Sequence, residues 1–183
     1  MDIHEPHYTA LGRMLVVFQS MEATLTQGLV LLLNKDLGTP SGHLCYATIS
    51  ELSFASASRI ASLVPSTFTF ERIGATTSDG EERLRKELTD LSNRLARGLK
   101  LANEAEQRRN QLVHSQWFIG PGIVNAPETL TRMKIKVKAR NLSMQFEAES
   151  IAGIGEVIEK VEEAQRLIHY ALLNFRLAAE HNW

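Results

Sequence analysis

The stretch Glu106-Gln107-Arg108-Arg109-Asn110-Gln111-Leu112-Val113-His114-Ser115 gathers the side chains best suited to chemistry in this chain. The apolar stripe Leu95, Leu99, Ala102, Ala105 advances in steps of three and four, so its next place falls on Arg109 and the one after on Leu112 or Val113. A guanidinium in a core slot is costly unless a carboxylate or a bound anion compensates it. Asn103, Gln107, Asn110 and His114 follow at spacings of four, three and four, which stacks neutral polar groups on an adjoining face. On an ideal helix Arg109 and His114 differ by about 140° and about 7.5 Å of rise, so their heads would frame a groove rather than touch. Asn110, one turn before His114, is the better placed of the two to orient the imidazole. The bland alternative is a buried Arg paired with a carboxylate and a His capping the last carbonyls of its helix.

A second cationic feature is the run Arg132, Lys134, Lys136, Lys138 and Arg140, which alternates with Met133, Ile135, Val137 and Ala139. Side chains two apart share one face of a strand, so these cations form a stripe with no acid among them. Such a stripe suits phosphate tracking. It equally suits a solvated hairpin face that discourages edge pairing and pairs with Glu147 and Glu149 across the hairpin. Glu22, among apolar neighbours in the first helix, is a candidate partner for Arg109 or a carboxylate for the groove, against an ordinary exposed or paired Glu.

Other chemistries lack their residues. His4, His7, His43, His169 and His181 show no H-x-x-x-H or H-E-x-x-H spacing, and with one Cys, Cys45, neither a metal site nor an internal disulfide is expected. Ser115 has no G-x-S-x-G elbow, and Gly153 and Gly155 lack the flanking pattern of a phosphate loop. Trp117, Phe118 and Trp183 suit base stacking or the closing of a core.

The elements that position these residues read as mainly helical. Apolar residues at 11, 14, 15, 18, 21, 25, 29 and 32 predict a helix from His7 to Lys35. Gly38, Thr39, Pro40, Ser41 and Gly42 predict a bend, with a short helix resuming near Thr48 and running to Pro65. Residues 66–80 read as a connection. Ser78 or Asp79 caps a long helix that carries the Leu84–Ala105 stripe and ends near Gln116, before Gly120-Pro121-Gly122. The period then changes to two, predicting a β-hairpin with its tip at Arg140–Asn141, and Trp117 to Ile119 as a third short strand. A last amphipathic helix spans Ser150 to Glu180.

With 183 residues, 44% hydrophobic and 22% charged, the chain is expected to form a single folded domain, 1–183, with residues 117–149 as a hairpin insertion. Twenty Lys and Arg against 21 Asp and Glu leave a net charge of −1, so nucleic-acid binding would need local clustering. The start of the sequence resembles no leader, the longest apolar run, Leu29 to Leu33, is far short of a bilayer span, and the cytoplasm is the expected location, without membrane association.

Arg109-Asn110-Gln111-Leu112-Val113-His114 resembles the R-N-x-x-x-H motif of HEPN domains. The order of elements is also similar: a long opening helix, a second helix, the motif at the end of a long third helix, and a further helix to the C-terminus. The resemblance implies an antiparallel helical bundle of four to five helices, here with an inserted β-hairpin before the last helix. It implies a metal-independent endoribonuclease without cofactor, whose homodimer brings two motif helices to one RNA-binding cleft.

In that setting His114 would exchange the proton of an attacking ribose 2′-hydroxyl or of the leaving 5′-oxygen, a task suited to a group of ordinary pKa about 6.5. Arg109 would hold the scissile phosphate, and Asn110 would orient His114 or the phosphate. Asn103, Gln107, Arg108, Lys134, Lys136 and Lys138 are secondary substrate contacts, and the products would carry 2′,3′-cyclic phosphate and 5′-hydroxyl ends. HEPN toxins controlled by a nucleotidyltransferase commonly have a Tyr two places after the His. That position here is Gln116, so adenylylation there is not expected, and an antitoxin or regulatory partner stays open. The alternatives are a binding module for nucleotide or RNA with weak or lost activity, and a dimeric interaction protein of a toxin-antitoxin or defence system.

Overall fold

A computed structural model describes residues 5–34, 38–68, 78–118, 129–138 and 141–180. Among them the protein is mainly helical, with α1 (Glu5–Leu33), α2 (Pro40–Ser50), α3 (Phe54–Thr67), α4 (Ser78–Val113) and α5 (Ile151–Glu180). Between α4 and α5 in sequence lies a three-stranded antiparallel sheet in the order β1 (Gln116–Phe118), β2 (Thr129–Lys138), β3 (Asn141–Ser150).

The helix ends have local causes. The expected bend at Gly38–Gly42 is instead the start of a helix, because Thr39 accepts a hydrogen bond from Gly42 N at 3.2 Å and Pro40 sits where its missing N–H costs nothing. Ser53 caps α3 in the same way through Ser56 N at 3.3 Å, so the single helix expected there is two. Ser150 accepts from Gly153 N at 3.0 Å at the start of α5. The hairpin register pairs Lys138 with Asn141, which places the connection at residues 139–140, outside the described residues.

Among the described residues α1 is long and apolar enough, by length and composition, to cross a membrane, a property no short apolar run had suggested. Core helices meet the same test, and Met14, Phe18, Met21, Leu25, Leu29 and Val30 along α1 are buried in the protein.

The chain divides into two compact units. One comprises Met1–Phe18 with Glu104–Val161 and holds the sheet. Its buried apolar side chains among the described residues are Met14 and Phe18 of α1, Ala105 and Leu112 of α4, Leu130 and Met133 of β2, and Ile154, Val157, Ile158 and Val161 of α5. Burying a Leu, Ile or Phe in this way contributes about 1.5–3 kcal/mol each before conformational entropy is counted. The other unit comprises Gln19–Asn103 with Glu162–Trp183. Within it α5 lies close to both α1 and α4, since a Cβ on Gly28 would fall 2.5 Å from Leu172 Cδ1 and one on Gly98 would fall 3.2 Å from the backbone N of Ile168. Gln165 Nε2 donates to Ser20 Oγ at 3.0 Å and Thr24 Oγ1 at 2.9 Å, and Arg97 pairs with Glu163 at 2.5 Å.

Candidate functional site

Arg109, Asn110 and His114 all fall in the first unit, at the C-terminal end of α4. Arg109 is half-buried, as its place on the apolar stripe requires. Its guanidinium carbon lies 4.8 Å from the ring centroid of Phe18, itself fully buried in α1. Nη1 donates to Asn110 Oδ1 at 2.8 Å, whereas Nε is buried without a hydrogen-bond partner. Among the described residues no carboxylate pairs with Arg109. The ring face supplies part of the compensation that a carboxylate was expected to give.

The hydrogen bond fixes the amide of Asn110. Arg donates only, so Oδ1 is the acceptor and both N–H groups of Nδ2 are left for another partner. Asn110 lines a pocket of about 300 Å³ together with Gln111, His114, Ser115, Gln116, Arg132, Met133 and Lys134. His114 is exposed there just past the end of α4, its backbone N still bonded to Asn110 O at 3.0 Å. Its imidazole makes no hydrogen bond to any described residue. Arg109 is absent from the lining and is joined to it through Asn110.

The hairpin forms the other side of this pocket. Leu130, Arg132 and Lys134 share one face of β2, opposite Glu149, Glu147 and Gln145 of β3. At Arg132 the expected basic stripe is not a solvated surface: its side chain is 5% exposed, and Glu149 beside it 3%. Charge at that depth needs close partners. Arg132 Nη2 pairs with Glu147, and Nε lies 3.5 Å from Glu149 Oε2. The same Glu149 oxygen accepts from Arg108 Nη2 at 2.5 Å, and Arg108 Nη1 donates to Gln111 Oε1 at 3.3 Å. Arg132 Nη1 is buried with no hydrogen-bond partner. Lys134, half-buried, has no carboxylate partner among the described residues. The side chains of Lys136 and Lys138 lie outside the described residues, as does Arg140.

The remaining candidates separate. Gln107 is exposed on α4. Asn103 falls in the other unit, where Nδ2 donates to Ser58 Oγ of α3 at 3.2 Å. The four-residue polar face of α4 is therefore not one site, because its first member is spent on a neighbouring helix. Glu22 is half-buried in α1 and belongs to the other unit. Among the described residues no group of His, Cys, Asp and Glu could hold a metal ion, and Cys45 is half-buried.

The pairing of Glu147 and Glu149 with Arg132 was legible as cross-strand complementarity. The part of Arg108 was not, since its partner Glu149 lies 41 residues away in sequence and no periodicity links them. No protein-family model, curated protein or solved structure matches the chain.

Proposed function

We propose that this protein is a metal-independent endoribonuclease of HEPN type, acting on RNA in the cytoplasm as a homodimer, with Asn110 and His114 at the reacting centre and Arg109 behind Asn110. One observation carries the reading: His114, whose imidazole has no hydrogen-bond partner among the described residues, shares a pocket with Asn110, Arg132 and Lys134, and among the described residues no carboxylate lines that pocket. Imidazole next to an anion-attracting wall is what 2′-hydroxyl transesterification needs. His114 takes the proton of the 2′-hydroxyl, the 2′-oxygen bonds to phosphorus, and the bond to the 5′-oxygen breaks. The proton returns to that oxygen, leaving 2′,3′-cyclic phosphate and 5′-hydroxyl ends. Asn110 Nδ2 holds a phosphate oxygen or the imidazole, and Arg109 fixes Asn110. The HEPN resemblance adds a second subunit, whose motif helix completes the cleft.

A second reading is a nucleotide- or RNA-binding module without turnover. It is favoured by the position of Arg109, stacked on Phe18 and outside the pocket lining. Incubation of purified wild type and His114→Ala with structured and unstructured RNAs in EDTA, with DNA of the same sequence beside them, separates the two. Cleavage of RNA alone by wild type alone supports the nuclease. Binding without cleavage by both proteins supports the module. A strict requirement for a divalent metal removes the proposed mechanism.

A further inference from the structure

We infer that the pocket beside His114 is a seat for a phosphate group, with Lys134 of the hairpin as its free cation and the buried Glu149 as the residue that fixes both of its walls. The hairpin is then a working part of the site rather than a peripheral insertion. The inference rests on the ribonuclease reading only in taking RNA as the source of the phosphate.

Arg132 is held in place by Glu147 and, more loosely, by Glu149, and Arg108 by Glu149 and Gln111, so neither guanidinium swings into the pocket, although Arg132 Nη1 keeps an unused donor there. Lys134 and His114 are the lining groups able to carry positive charge without a partner among the described residues. With no acid in the lining among the described residues, the local potential favours an anion. A phosphate suits the donors on offer, which are an ammonium, an imidazole and the free amide hydrogens of Asn110, all of them groups that hydrogen-bond to tetrahedral oxygens. A volume of about 300 Å³ leaves room for an attached ribose.

Glu149 explains why the two walls stand at a fixed distance. One wall is α4, with Asn110, Gln111 and His114, and the other is β2, with Arg132 and Lys134. A single carboxylate, 3% exposed, accepts a hydrogen bond from Arg108 on the first at 2.5 Å and lies in ion-pair range, 3.5 Å, of Arg132 Nε on the second. Arg108 carries the constraint into the lining through Gln111 Oε1. Loss of the Glu149 charge would leave two guanidiniums close together without their shared anion, so the hairpin would be pushed away from α4. Glu149 touches no ligand in this scheme and is a positioning residue.

The test uses inorganic phosphate as the probe, measured by calorimetry at low ionic strength and by the ring-proton resonances of His114. Wild type is expected to bind with a shift of those resonances. Lys134→Met, whose stem keeps its packing, is expected to weaken binding about fivefold or more. Glu149→Gln is expected to weaken it comparably, and the double variant to bind no worse than Glu149→Gln, because one change acts through the other. Should Glu149→Gln fail to fold, Arg108→Gln breaks the same clamp at its half-exposed end and takes its place. Unchanged affinity in Lys134→Met, phosphate binding that leaves His114 unmoved, or losses that add in the double variant each overturn the inference. A short RNA tested beside phosphate separates this outcome from the ribonuclease reading. Phosphate binding without RNA cleavage keeps the seat and removes the nuclease, whereas cleavage that ignores Lys134 keeps the nuclease and removes the seat.

Discussion

The guanidinium of Arg109 lies 4.8 Å from the ring centroid of Phe18, and this contact, with the hydrogen bond to Asn110 and with no ion pair among the described residues, accommodates a charged residue on the apolar stripe of α4. The ring presents its negative face to the cation while its edges fill the core of the first unit. The contact links α1 to the motif helix beside the proposed reacting centre.

Phe18→Leu keeps most of the apolar volume and removes the ring face. The expected cost is about 1–2 kcal/mol, from lost packing and a weakened cation–π contact. Urea unfolding measures it. Cleavage is expected to fall as well, since Arg109 loses the surface that orients its fork toward Asn110. A variant of wild-type stability would show that Arg109 draws its compensation from elsewhere.

The ion network behind the pocket predicts a larger effect. Glu149→Ala leaves Arg108 and Arg132 without their common carboxylate, and removal of one partner from a buried pair costs about 3–5 kcal/mol. Glu147 is 39% exposed. Glu147→Ala is therefore expected to cost about 1 kcal/mol at most. Denaturant melts of the two variants side by side check the ranking, and equal losses would contradict the burial of Glu149 as the source of the difference.

Glycines give a prediction of opposite signs. A Cβ on Gly98 would meet Ile168 Cγ1 at 2.9 Å, Leu167 Cβ at 3.0 Å and the Ile168 backbone N at 3.2 Å. Backbone gives way poorly, so Gly98→Ala is expected to destabilise by about 1–3 kcal/mol despite its gain in helix propensity. Gly12 in α1 has nothing within 4 Å of such a Cβ. Gly12→Ala is expected to stabilise by about 0.5–1 kcal/mol. Thermal unfolding of both variants decides it, and stabilisation by Gly98→Ala would mean that α4 and α5 are not closely packed there.

What could be read from the sequence divides along physical lines. Periodicity located the long helices and the hairpin, because burial of one face imposes a repeat of 3.6 or 2 that survives without knowledge of neighbours. Turn chemistry misled at residues 38–42, where Thr39 and Pro40 are equally good as a loop and as a helix start, and the capping bond to Gly42 decides. The place of Arg109 on the stripe was legible, but its partner Phe18, on a different helix, was not. Likewise the cations of β2 were visible as a stripe, whereas the burial of Arg132 depends on Arg108 and Glu149 meeting across 41 residues. The polar face of α4 dissolved for the same reason, since Ser58 claims Asn103.

A 2′-hydroxyl attack assisted by His114 leaves its mark in the chemistry of the product ends. An RNA cleaved by the wild-type protein in EDTA is mapped for its ends, in parallel with the same RNA bearing a 2′-O-methyl group on the 5′ side of the main cut. The expected result is 2′,3′-cyclic phosphate and 5′-hydroxyl ends, loss of that cut in the methylated RNA, and no cleavage of either by His114→Ala. Products with 5′-phosphate ends, or an undiminished cut at the methylated position, would contradict it.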